Sequence, residues 1–179
     1  MSRIGKKIIA VDQSVSVEIK SNVVTLSSDL GSLSCQLPTC LDILFENSQI
    51  SILTQSNSKR QRSLHGLFRS LIYNNHEGLT KGFSNKMVLS GIGYKVQSKG
   101  KDLEFSLGFS HPVLYKCPAG IVFEVESPDK FSIKGICKAL VGQITADILS
   151  LRKRDAYKGK GIYFLGETKS LKQGKKIKK

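Results

Sequence analysis

Lys138-Ala139-Leu140-Val141-Gly142-Gln143-Ile144-Thr145-Ala146-Asp147-Ile148-Leu149-Ser150-Leu151 sets Leu140, Val141, Ile144, Ile148 and Leu151 on one stripe of a 3.6-residue helix. An earlier stretch, Lys59 to Tyr73, does the same with Leu64, Leu67, Phe68, Leu71 and Ile72, and either Ser56 or Ser58 is placed to cap it. Leu64-x-Gly66 in the first helix matches Leu140-x-Gly142 in the second. The glycine of His76-Glu77-Gly78 is expected to close the first helix. On the side away from its apolar stripe, Arg62, His65 and Arg69 are spaced by three and four residues and would line up as a row of donors.

Working outward, each helix is preceded by short runs that alternate apolar and polar residues. Before the first lie Val15 to Ile19, Val23 to Ser27, Leu33 to Leu37, Ile43 to Glu46 and Ile50 to Leu53. Before the second lie Lys86 to Ser90, Gly93 to Ser98, Leu103 to Phe109, Ile121 to Glu126 and Phe131 to Ile133. Pro38 ahead of Leu41-x-Ile43 recurs as Pro118 ahead of Ile121-x-Phe123. Two copies of a sheet-then-helix unit of about 75 to 80 residues point to duplication rather than a solenoid, which needs at least ~3 repeats. The expected fold is therefore α+β, with two tandem duplicated domains, each a small, mostly antiparallel sheet packed on one main helix. The expected boundaries are 1–81, 82–151, and a basic glycine-containing loop and tail over 152–179.

Charge is the second signal. The 179 residues hold 28 Lys plus Arg against 14 Asp plus Glu, a net charge of +14, and residues 152–179 alone contribute 11 bases against 2 acids. That balance belongs to a binder of polyanions. No apolar run is long enough to span a bilayer, and the opening Met1-Ser2-Arg3-Ile4-Gly5-Lys6-Lys7 lacks the apolar stretch of a signal peptide, so neither secretion nor membrane insertion is expected. Cys35, Cys40, Cys117 and Cys137 form no C-x-x-C pair and have no His at metal-ligand spacing; buried thiols in a reducing compartment are expected.

No catalytic residue, metal site, cofactor or small-molecule substrate is expected. The chain has no G-x-S-x-G, H-E-x-x-H or P-loop, and an enzyme would have to assemble His65, His111 and an acid from remote positions. Gly91-Ile92-Gly93 is a lone G-x-G that either lets a strand bulge or lets another backbone approach. Nucleic-acid binding does have its parts. Tyr157-Lys158-Gly159-Lys160-Gly161 alternates cations with glycines, which bring backbone amides within reach of phosphates. Tyr157 can stack on a base or anchor the loop. Arg152, Lys153 and Arg154 add charge ahead of it. Tyr94 and Lys95, and Ser110 and His111 in Gly108-Phe109-Ser110-His111-Pro112, place polar groups at strand edges and turns. Phe105 and Phe109 share a strand face and read as core.

Gly91-Ile92-Gly93-Tyr94-Lys95, Leu107-Gly108-Phe109-Ser110-His111-Pro112 and Tyr157-Lys158-Gly159-Lys160-Gly161-Ile162, with Leu64-His65-Gly66-Leu67, Gly142-Gln143 and the opening Ser2 to Lys7, resemble the L-six (uL-six) family of large-subunit ribosomal proteins along the whole chain. The resemblance implies two related α+β domains, binding to 23S-type rRNA near the sarcin-ricin loop and stalk base, neighbouring large-subunit proteins, and translation factors close by. It also implies that the second domain and its loop make the main rRNA contact. One departure is local: where the family usually has Pro-Pro-Glu-Pro before the Tyr-Lys-Gly-Lys-Gly run, this chain has Lys153-Arg154-Asp155-Ala156, and a looser loop is expected. The opening residues resemble plastid and cyanobacterial members and leave no room for a transit peptide. A plastid (chloroplast) ribosome is therefore expected, with a bacterial cytoplasm as the alternative. The rival function is a protein-interaction module with an incidental RNA-binding basic tail.

Overall fold

The computed structural model describes residues 3–56, 58–168 and 170–174. Lys169 and Lys175 to Lys179 of the expected basic tail, and Met1 and Ser2 of the opening, lie outside the described residues. The chain divides into two compact units, one running through Gly82 with Ile136–Lys138, the other comprising Phe83–Gly135 and the chain from Ala139 onward.

The first unit contains β1 (Ile9–Ala10), β2 (Ser16–Lys20), β3 (Val23–Ser28), β4 (Gly31–Gln36), β5 (Leu41–Glu46), β6 (Gln49–Thr54) and α1 (Lys59–Thr80). Its strands form two antiparallel three-stranded sheets, ordered β2-β3-β4 and β1-β6-β5. Val24 and Leu26 of the first sheet and Ile50 and Ile52 of the second close on Ile72 and Leu79 of α1. The second unit contains β7 (Phe83–Ser90), β8 (Lys95–Lys99), β9 (Asp102–Ser106), β10 (Val113–Tyr115), β11 (Ile121–Ser127), β12 (Lys130–Gly135), α2 (Lys138–Leu151) and β13 (Gly161–Phe164). It repeats the plan: β10-β9-β8 mirrors β4-β3-β2, and β7-β12-β11 mirrors β1-β6-β5. Its core joins Met87, Phe105, Phe131 and Ile133 to Val141, Ile144 and Ile148 of α2, with Phe105 and Phe131 edge to face at 5.4 Å. The duplication read from the residues is thus a duplication of topology, and each half is α+β.

Several local expectations are corrected. α1 does not stop near Tyr73, nor at Gly78, which is buried within it. The helix ends at Thr80, where Gly82 takes φ +70° and gives its N–H to Gly78 O. Ser58 is the cap, its Oγ accepting from Gln61 N at 3.2 Å. The buried stripe also differs, because Leu67 and Leu71 are exposed while His65, Ile72, His76 and Leu79 face inward. Both imidazoles are bonded to backbone, which lets them stand where hydropathy would put leucine: a ring nitrogen of His65 lies 2.9 Å from Ile52 O, and His76 accepts from Asp12 N. The four cysteines are free and partly rather than fully buried.

The largest correction concerns the end of the chain. Residues 161–164, expected within a loop and tail, form β13, which pairs with β7 (Ile162 opposite Leu89, Phe164 opposite Met87). The sheet β11-β12-β7 of the second unit therefore gains a fourth strand, β13, with no counterpart among the described residues of the first unit, and Ile162, 1% exposed, belongs to the second unit's core.

Candidate nucleic-acid interface

The loop between α2 and β13 is built as a closed hairpin. Arg152 O accepts from Ile162 N at 3.0 Å, Lys160 O accepts from Asp155 N at 2.7 Å, and Asp155 O accepts from Gly159 N at 3.1 Å. The Asp155 carboxylate takes the Lys158 N–H at 2.7 Å. That bond, helped by those from the Tyr157 and Ala156 amides and by the charge of Lys158, holds the Asp155 carboxyl below the ordinary aspartate value. Beyond β13, Lys172 N bonds Ala156 O at 2.9 Å and ties the following segment to the loop. Asp155 thus closes this turn by hydrogen bonding through both its carboxylate and its backbone.

This hairpin divides its residues between two sides. Tyr157, 57% exposed, and Lys158 and Lys160 face outward. Gly159 and Gly161 are buried on the inner side. Gly159 (φ +69°) packs toward Leu171, and a Cβ on Gly161 (φ +141°) would lie 2.6 Å from Arg154 Cα and 2.8 Å from Lys153 O. The close approach these glycines permit is that of the chain to itself. Arg154 also turns inward: its guanidinium lies 4.5 Å over the Tyr163 ring, Nη1 reaches Glu167 O, and Nε is shut away from solvent. It holds the loop's base.

Arg152 joins this loop to two others. Its Nε donates to the Tyr94 hydroxyl at 3.1 Å, and its guanidinium lies 5.2 Å from the centre of the Phe109 ring. Tyr94 packs against two glycines, since a Cβ would come to 2.9 Å of its ring from Gly91 and 3.3 Å from Gly108. Phe109, expected in the core with Phe105, is 44% exposed, because β9 ends at Ser106 and the turn at Gly108 (φ +74°) breaks the alternation. Sequence reasoning missed it as the platform for Arg152; its position beside Gly108 was the available signal. Lys95 follows Tyr94 into β8 and is exposed, and Ser110 and His111 are exposed beyond Phe109, with Ser110 Oγ 3.3 Å from His111 Nδ1. A groove lined by Tyr94, Arg152, Lys153, Lys158 and Lys160 results, with Asp155 its lone acid.

The row expected on α1 is not assembled. His65 is 3% exposed, pressed against Gly5. Arg69 lies over the Tyr73 ring at 4.8 Å and gives Nε to Lys7 O, leaving Arg62 outward.

A duplicated α+β protein with one cationic face shaped by three loops of its second unit is the class that fold and site define. The model of the family described as "Ribosomal protein L6" matches residues 11–82 and 90–164. A curated relative, "Large ribosomal subunit protein uL6" of Hydrogenobaculum sp. (strain Y04AAS1), is 43% identical over 175 residues, covering 98% of this chain and 96% of that protein. The chain belongs to the ribosomal protein L6 family, and is thereby a structural, non-enzymatic component of the large ribosomal subunit.

Proposed function

We propose that the second unit docks this protein on 23S-type rRNA through the groove of Tyr94, Arg152, Lys153, Lys158 and Lys160, near the sarcin-ricin loop and stalk base, where translation factors pass. The carrying observation is the convergence of three loops on Arg152, which gathers exposed cations on one face around a single acid. Lys95, Ser110 and His111 extend that face, and Tyr157 offers a ring to a ribose or base. Of the three side chains expected to line up on α1, Arg62 faces outward, while Arg69 bonds Lys7 O and His65 lies against Ile52 O. We place the domain boundary at Gly82, whose left-handed turn separates α1 from β7. For the compartment, the bacterial relative favours a bacterial cytoplasm over a plastid.

The test is binding of the full chain to large-subunit rRNA with excess tRNA competitor and salt varied. Arg152, Lys153, Lys158 and Lys160 imply a slope of log K against log salt of about −3 to −4, at roughly 0.7 to 0.9 per phosphate. A slope near zero, or binding erased by tRNA, would overturn the reading.

A further inference from the structure

Ile92 is 96% exposed, whereas the other exposed large apolar side chains of the described residues lie between 38% and 59%. A flexible loop would fold such a side chain back onto the surface to bury it. This one is held out: Gly91 (φ +150°) and Gly93 (φ +79°) flank it in conformations that other residues rarely adopt. Tyr94 N–H closes the turn on Gly91 O at 3.1 Å, and the Tyr94 ring presses on Gly91 itself. The tyrosine that fixes this turn also accepts from Arg152 and lines the cationic groove. A fixed apolar tip therefore stands beside phosphate-binding charge.

We infer that Ile92 packs into the minor groove of double-helical RNA, against ribose carbons and base edges, while the neighbouring cations hold the phosphates on either side. Charge selects a polyanion as the occupant of this face. An A-form duplex offers a wide, shallow minor groove lined by sugar, whereas its major groove is too deep and narrow for a short branched side chain. Single strands are gripped by stacking on aromatic rings, and isoleucine has no π face to stack. The inference rests on the rRNA-binding reading above and adds to it a contact that carries no charge.

The experiment compares the full chain with Ile92→Ala and Ile92→Leu for binding to large-subunit rRNA across a salt series, with thermal melts as a check on folding. So exposed a side chain leaves the melts unchanged. The expected result is about tenfold weaker binding for Ile92→Ala, near-normal binding for Ile92→Leu, and the same salt slope for all three chains. Equal binding by Ile92→Ala would overturn the inference. A reduced slope would also overturn it, since the turn would then act by placing cations. So would a loss that appears only when other subunit proteins are present, which would make the occupant a protein. A wild-type chain without salt-sensitive binding would bring down the rRNA reading beneath it, an outcome distinct from the other three.

Discussion

Arg152 Nε and the Tyr94 hydroxyl, 58 positions apart in sequence, meet at 3.1 Å and link the loop after α2 to the turn before β8. Tyr94→Phe removes the acceptor but keeps the ring that covers Gly91 and Gly108. The bond is exposed, so its loss is expected to cost under about 1 kcal/mol in a urea melt. With Arg152 released, rRNA binding should weaken several-fold. Unchanged binding would show that Arg152 needs no tyrosine to hold it.

Two glycines give opposite signs. Gly161→Ala would drive a Cβ into the backbone of Lys153 and Arg154 at a φ of +141°, and about 2 to 3 kcal/mol of destabilisation is expected. Gly142 lies within α2 with no neighbour within 4 Å of a Cβ, so Gly142→Ala should stabilise by up to about 1 kcal/mol. Chemical denaturation of both variants checks the pair.

A chain cut after Leu151 is expected to lose stability as well as its basic end. The cut removes β13 and with it Ile162, which packs among the buried residues of the second unit. Ile162→Ala alone should cost about 2 to 5 kcal/mol. Thermal melting of the cut chain against full length measures the effect, and a native-like melt would show β13 to be dispensable.

The reason this strand was hidden bears on what a sequence reveals. The alternating runs ahead of each helix were legible, since period-two burial is written directly into side-chain polarity, and the recurrence of Leu-x-Gly in both helices exposed the duplication. Gly161-Ile162-Tyr163-Phe164 is too short and too close to lysines to show its own period, and only its pairing with β7 makes it a strand. The polarity of His65 points it outward, yet a polar ring bonded to a backbone carbonyl behaves as core, as His76 does on the Asp12 amide, and such partners lie far along the chain. Arg154 follows the same logic, turned inward over the Tyr163 ring and onto the Glu167 backbone carbonyl rather than offered outward. The convergence on Arg152 was out of reach, because no local pattern foretells which turn a guanidinium will reach.

Asp155 predicts an acid-sensitive loop. Its carboxyl is held below the ordinary aspartate value, chiefly by the Lys158 amide, so its contribution is complete above the unfolded-state pKa and fades as pH falls through the lower folded value. The Lys158 amide resonance should titrate with a midpoint below that of a free aspartate. In Asp155→Asn the titration should vanish and exchange of the Lys158 amide should quicken. A midpoint at the ordinary value would show that the turn does not depend on the carboxylate.

The two sides of the hairpin predict different failures. Lys158 and Lys160 face outward and form no ion pair among the described residues, so Lys158→Ala with Lys160→Ala should leave the melt unchanged and flatten the salt slope of rRNA binding by about 1.4 to 1.8. Arg154 faces inward over Tyr163, so Arg154→Ala should lower stability by about 1 to 2 kcal/mol while leaving the slope of the folded protein near that of wild type. Equal slopes for the lysine pair and wild type would remove these two side chains from the interface. A flattened slope for Arg154→Ala with an intact melt would return that arginine to it, because a residue that only braces the loop changes how much protein is folded and not how many counterions are displaced.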